Sequence, residues 1–246
     1  MFNAEKVRDE IVQWIRDYFE SNGSGLSAVV GLSGGKDSSI VAALCARALG
    51  ANRVYGVLMP QGEQWDLHVS QELVRYLGIR HSVINIKETV DSFAESINSC
   101  GLSMNKPAAV NTPARIRMTI LYAVSAIVNG RVANTCNLSE DWVGYSTKFG
   151  DSAGDFSPLS RLTVTEVKAV GRVLGLPSQF IDKLPEDGLS GLSDEDNLGF
   201  SYDVLDRYIR EGVCADKAVK QKIDRLHQAN LHKLKLMPCY ELPVSI

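Results

Sequence analysis

No C-x-x-C pair occurs in the chain, and its five cysteines, Cys45, Cys100, Cys136, Cys214 and Cys239, are odd in number and widely scattered. Scattered, unpaired cysteines argue against a disulfide framework or a thiolate zinc cluster, so reduced thiols and a cytoplasmic location are expected. Histidine is scarce too: His68, His81, His227 and His232 stand in no H-E-x-x-H or comparable ligand spacing, and no structural zinc site is expected. Positive charge is not in excess, since 26 Lys and Arg face 29 Asp and Glu for a net charge of −3. A protein held on the phosphate field of nucleic acid needs a basic face, so nucleic acid is not an expected partner. The N-terminal residues lack the apolar stretch of a secretory leader, and no uncharged segment approaches the length of a membrane span; neither export nor a membrane partner is expected.

What is present is a globular composition, 45% apolar and 22% charged over 246 residues. A chain of this size buries roughly 70% of the surface its unfolded form exposes, enough for one large core. One domain over residues 1–246 is therefore expected, with an N-terminal helix over 3–22, a βα core over about 26–160 and a helical segment over about 161–246.

Val7, Ile11, Trp14, Ile15 and Tyr18 recur at helical spacing behind Asn3, a suitable cap. Three β-branched runs follow, Ala28 to Gly31, Arg53 to Leu58 and Ser82 to Ile86, separated by helical stretches from Ile40 to Leu49 and from Leu67 to Leu77 that Gly50 and Gly78 terminate. Strand and helix alternating in this way predict an α/β fold on a parallel sheet. An apolar helix is expected from near Pro113 to Asn129-Gly130, either central to the core or buried against a partner chain. A further strand is expected over Arg131 to Thr135, then an aperiodic Gly-, Ser- and Asp-rich loop from Asn137 to Ser160, and helices from Val164 broken at Leu176-Pro177 and between Pro185 and Asp196.

The most informative segment is Gly31-Leu32-Ser33-Gly34-Gly35-Lys36-Asp37-Ser38, at a strand-to-helix junction. Adjacent glycines let backbone approach an anion, the amides opening the next helix point at it, and serine hydroxyls add donors. Asp37 follows Lys36 where a Walker A loop has Ser or Thr, and the glycine spacing is not that of a dinucleotide loop.

Ser33 to Ser38 resembles the S-G-G-x-D-S loop of the ATP pyrophosphatases, which cleave ATP between its α- and β-phosphates. Two later stretches, Asn111 to Tyr122 and Asn134 to Asp155, extend the likeness to the NAD synthetase family; it covers nearly the whole chain, including Lys183-Leu184-Pro185, Asp194 to Gly199 and His232-Lys233. The resemblance implies a three-layer α/β/α fold with a Rossmann-like parallel sheet of the adenine nucleotide alpha hydrolase type, plus extra helices. It implies a ligase in which ATP adenylates the nicotinate carboxylate of deamido-NAD and ammonia displaces AMP to give NAD. By the same likeness, Gly31, Leu32, Ser33, Gly34, Gly35, Lys36, Asp37, Ser38 and Thr135 bind ATP, Asp37 and Glu140 hold Mg²⁺, and Arg115, Lys148, Asp155, His232 and Lys233 bind deamido-NAD. It also implies a homodimer.

Plain structural readings stand beside these. Arg115 and Arg117 also suit a solvated helix face, Lys148 and His232-Lys233 surface charge, Asp155 a cap, and Glu140-Asp141 a pair of exposed acids, while Trp142, Tyr145 and Phe149 would stack on a base or pin their loop to the core. The chain departs from the family pattern at Val164, where an ATP-contacting Lys is common, with Lys168 or Arg161 as substitutes, and at Glu186, where a small hydroxyl residue is common. No room remains for a glutamine amidase domain, so free ammonia is the expected nitrogen donor. The rival readings are another ATP pyrophosphatase and a non-catalytic adenine-nucleotide binding module.

Overall fold

The computed structural model describes residues 2–182 and 193–240. Lys183-Leu184-Pro185 and Glu186 lie outside the described residues. Four strands, β1 (Ser27–Gly31), β2 (Val54–Leu58), β3 (Arg80–Val83) and β4 (Gly130–Ala133), form a parallel sheet in the order β3-β2-β1-β4. Central β1 pairs Val29 with Tyr55 of β2 on one side and with Val132 of β4 on the other.

Successive side chains of β1 serve opposite faces, as the pleat requires. Ala28 and Val30 enter a core shared with Val12, Ile15 and Phe19 of α1 (Ala4–Gly23), Ile40 and Leu44 of α2 (Lys36–Leu49), Leu73 of α3 (Leu67–Leu77) and Val167 and Val170 of α7 (Val164–Val173). Val29 instead meets Val57, Met59 and Ile86, covered by Val90 of α4 (Lys87–Ser99) and by Ile116, Ile120 and Val124 of α5 (Lys106–Ile127). Helices on both faces make three layers, as expected. A smaller apolar cluster, including Val143, Val164, Leu198, Phe200 and Leu205, ties together α6 (Leu138–Val143), α7, α8 (Asp194–Leu198), α9 (Tyr202–Glu211) and α10 (Lys217–Leu234).

The Asn3 side chain caps α1 by accepting from Lys6 N at 3.0 Å. The structure departs from, or decides, four expectations. The third strand lies over Arg80–Val83 rather than Ser82 to Ile86, because its ladder with β2 runs from Tyr55↔Arg80 to Leu58↔Val83. The apolar helix begins at Lys106, seven residues before Pro113, because Asn105 caps it by accepting from Ala108 N. Nor is that helix central: only Thr112, Pro113 and Ser125 are buried along it, and Val110, Tyr122 and Ile127 are exposed. The stretch from Asn137 opens as helix α6, its first turn capped by Asn137 Oδ1 accepting from Glu140 N at 3.1 Å. Among the described residues no helix is long and apolar enough to cross a membrane, and all five cysteines are unpaired.

Candidate functional site

Strand order decides where a site forms. From β1 the chain moves to β2 on one side, while β4 pairs on the other, so the segments leaving the carboxyl ends of β1 and β4 diverge and open a crevice. Leu32 to Gly35 runs from β1 into α2, and Asn134 to Asn137 runs from β4 into α6.

The first loop is closed by its own hydroxyls. Ser33 and Ser38 Oγ lie 3.2 Å apart, Gly35 N donates to Ser33 Oγ at 3.2 Å, and Ser39 Oγ donates to Gly35 O at 2.8 Å. Gly34 has a φ of +77°, and a Cβ there would stand 3.3 Å from Ser70 N, so left-handed backbone and close approach both require glycine. No side chain caps α2, which leaves its opening amides facing the crevice as an anion cradle.

Lys36 is 4% exposed. Its Nζ sits 2.8 Å from Asp37 Oδ2 and 3.7 Å from Glu140 Oε1, and 5.7 Å from the centre of the Tyr202 ring. Asn137 joins the two loops: its Nδ2 donates to Asp37 Oδ1 at 3.0 Å while its Oδ1 caps α6. Burial pushes the Glu140 carboxyl well above the usual carboxylate range, and the charge of Asp37 adds to this while Lys36 opposes it. Burial alone would push the Lys36 ammonium down, but Asp37, Glu140 and Asp194 together hold it above its ordinary value. Asp194, also raised chiefly by burial, accepts from Tyr202 OH at 3.3 Å.

Asp37, Glu140 and Asp194 thus surround one ammonium. Asp37 and Glu140 both reach the same ammonium, so their oxygens converge on one point. Among the described residues no cluster of three or more His, Cys, Asp or Glu side chains is arranged to hold a metal. Two carboxylates are the protein share that a hard divalent cation such as Mg²⁺ takes, its shell completed by phosphate oxygens and water, and Asp37 and Glu140 fit that share.

The residues expected to bind the dinucleotide fall into two linked groups. Arg115 Nε donates to Lys148 O at 3.4 Å, Lys148 Nζ to His232 O at 2.8 Å, and Lys233 Nζ to Gly144 O and Ser146 O at 2.7 and 2.9 Å. These bonds bring α5, the segment after α6 and the end of α10 together. Asp155 stands at the open edge of β4, where its Oδ2 accepts from Val132 N at 2.7 Å and its own N–H donates to Val132 O. It therefore acts on the strand rather than as a helix cap. Asp155 and Lys233 line one cavity of about 400 Å³ together with Asn134, Cys136, Asp141 and Ser157. Gly154 admits this close approach, since a Cβ there would fall 2.8 Å from Asn134 N. Thr135 is half-buried, two residues beyond β4.

Several open readings are settled. Asp141 is not an exposed acid; it is half-buried, and burial followed by Asp151 raises its carboxyl to about 6. Trp142 pins its helix, stacking on His227 at 4.1 Å between ring centres, whereas Phe149 is 61% exposed and held at a φ of +61°. Val164 turns into the smaller apolar cluster. Lys168 lines one cavity of about 350 Å³ with Lys36 and Val164, while Arg161 is exposed, its carbonyl accepting from Arg210. Sequence reading missed Asn137, Tyr202 and Asp206; only Asn137 carried a local signal, an Asn three residues ahead of a Glu at a helix start.

Residues 7–237 match the family model described as NAD synthase. The NH(3)-dependent NAD(+) synthetase of Pyrococcus furiosus is 38% identical, the match covering 95% of this chain and 93% of that one. Among solved structures, an NMN synthetase from Francisella tularensis superposes with a TM-score of 0.91 at 31% identity over 98% of this chain and 100% of the other. An NH3-dependent NAD synthetase from Campylobacter jejuni does so with a TM-score of 0.80 at 29% identity over 98% and 100%. With the matched model running from the first helix to beyond the last, and the crevice assembled from the two loops that carried the resemblance, this chain belongs to the NAD synthase family.

Proposed function

We propose that this chain is an ammonia-dependent NAD synthetase, a ligase that amidates deamido-NAD with ATP. The observation that carries the reading is the meeting of Asp37, Asn137, Glu140 and Lys36 where the β1 and β4 loops join. A carboxylate resists attack by ammonia, so a nicotinate oxygen first attacks the α-phosphorus of ATP and pyrophosphate departs. Ammonia then attacks the acyl carbon of the adenylate, the carbon–oxygen bond to AMP breaks, and the nitrogen sheds a proton to leave the amide.

In this reading the α2 amides and the Ser33 and Ser38 hydroxyls hold the departing pyrophosphate, and Lys36 offsets the charge it gains. Asp37 and Glu140 would hold Mg²⁺, which neutralises phosphate charge when bound. Thr135 contacts ATP, and Arg115, Lys148, Asp155, His232 and Lys233 hold deamido-NAD. The chain works as one domain in the cytoplasm, and a second copy covers the exposed apolar residues Val110, Tyr122 and Ile127 of α5.

One observation favours a second substrate. The end-to-end superposition on a protein described as an NMN synthetase supports amidation of nicotinate mononucleotide by the same chemistry. The test mixes protein with ATP, Mg²⁺, ammonium and either deamido-NAD or nicotinate mononucleotide, and assays amide, AMP and pyrophosphate, with Asp37→Ala as control. Equal amounts of all three from the dinucleotide, lost in the control, support the primary reading. A larger kcat/KM for the mononucleotide selects the second, and AMP with pyrophosphate but no amide from either rejects both.

A further inference from the structure

Asp206 lies on α9, outside the crevice, and is 5% exposed. No basic side chain pairs with it among the described residues; it is satisfied instead by hydroxyl and amide donors. Its Oδ1 accepts from Ser139 Oγ at 2.5 Å, and its Oδ2 accepts from Thr165 N at 2.8 Å and from Thr165 Oγ1 at 2.6 Å. Ser139 Oγ in turn accepts from Val164 N at 3.1 Å. One buried carboxylate thus takes an opening amide of α7 directly and another through Ser139, the placement in which a helix dipole favours an anion.

The other end of this network is the crevice. Ser139 is fully buried and immediately precedes Glu140, and α6 is only six residues long. A helix that short does not hold its own orientation, because each turn gains little against the cost of starting it. Its direction is set by what grips it: Trp142 stacks on His227 toward its far end, and its first turn is held by Asn137 on Asp37 from one side and by Ser139 on Asp206 from the other.

We propose that Asp206, acting through Ser139, is a positioning residue that holds Glu140 in register with Asp37 for the divalent cation of the reaction. The inference rests on the reading of Asp37 and Glu140 as the cation's ligands. It also gives the α7 to α9 helices a role in the reaction: they anchor the acid that the β4 loop delivers.

The test measures Mn²⁺ binding by electron paramagnetic resonance in the presence of a non-cleavable ATP analogue, beside kcat, KM and Tm, for Ser139→Ala, Ser139→Thr, Asp206→Asn and Glu140→Ala. Ser139→Ala cuts the tether and frees Val164 N, yet leaves Asp206 bonded to Thr165 N and Oγ1, so α7 keeps its direct cap if Asp206→Asn fails to fold, and an unchanged Tm beside a changed Mn²⁺ affinity separates positioning from capping. The expected result is a Mn²⁺ dissociation constant raised about tenfold in Ser139→Ala, the size expected for losing a hydrogen bond to a charged group, with near-normal affinity in Ser139→Thr. Unchanged Mn²⁺ affinity in Ser139→Ala, alongside its loss in Glu140→Ala, overturns the proposal and leaves Asp206 a cap. Unchanged affinity in Glu140→Ala removes the ligand assignment itself, and the tether's role with it.

Discussion

Charge is used differently in the crevice and on the flank that joins α5 to α10. In the crevice charge meets charge: Lys36 against Asp37 and Glu140, all largely out of water. On the flank each cation meets a neutral carbonyl, Arg115 that of Lys148, Lys148 that of His232, and Lys233 those of Gly144 and Ser146. A carbonyl fixes a cation's position without cancelling its charge. The crevice thus supplies its own counter-charges before a ligand arrives, while the flank holds its cations on neutral carbonyls, with Asp151 the acid that acts on Lys233.

If this contrast is real, substitutions in the two regions should fail in different ways. Glu140→Ala should cost most, lowering kcat/KM roughly 10³-fold by removing charge organisation from the reacting phosphates; a loss under tenfold in steady-state assays would show that the crevice is not the reacting centre. Lys148→Ala should raise KM for the dinucleotide about tenfold with kcat nearly unchanged, the pattern of binding shared by ground and transition states. A fall in kcat instead would erase the distinction between the regions. Lys168→Ala should raise KM for ATP only about threefold, and less at high salt, as a partly solvated charge does. Titrating ATP at two ionic strengths checks this, and an unchanged KM would remove Lys168 as the substitute for a cation at Val164.

The smallest effect concerns Asp141, between the two regions, whose carboxyl burial raises from 3.8 to about 6. A carboxyl raised in the folded state disfavours folding once ionised, so Asp141→Asn should stabilise the protein by about 1–2 kcal/mol above pH 6, after discount for its partial exposure. The gain should vanish as the pH falls below about 4, where the unfolded carboxyl also holds its proton. Denaturant unfolding at pH 4 and pH 8 compares the two, and equal gains would mean that packing rather than ionisation is relieved.

The two regions also differed in how far sequence disclosed them. Ser33 to Ser38 was legible because the glycines, hydroxyls and acid that shape the loop are consecutive, and the strand and helix around it carry clear periodic patterns. Asn137 was less so: its partner Asp37 is 100 residues away, and no local pattern joins a side-chain amide to a particular carboxylate. Asp206 gave no signal at all, since on a helix that also carries Asp203, Arg207, Arg210 and Glu211 a buried acid looks like a solvated one. The sheet's layers were readable, but the limits of β3 depended on its partner β2, and the early start of α5 on a single capping asparagine. The flank was anticipated through likeness to a family; its carbonyl partners, made by backbone from distant segments, leave no trace in side-chain identity.

The hydrogen bond between Asn137 and Asp37 also bears on the order in which the molecule folds. It closes a span of 100 residues, and β1 pairs with β2 well before β4 exists in a chain emerging from its N-terminus. Closing so long a loop is slow relative to local helix formation. The β3-β2-β1 part of the sheet should therefore form first, with one edge of β1 open until β4 docks, and the crevice should be the last part of the sheet region to appear. Since Val132 and Asn134 turn their amides outward to Asp155 and Phe156, the alternate amides of Arg131 and Ala133 face β1; in pulse-labelled hydrogen exchange during refolding these should gain protection later than those of β2.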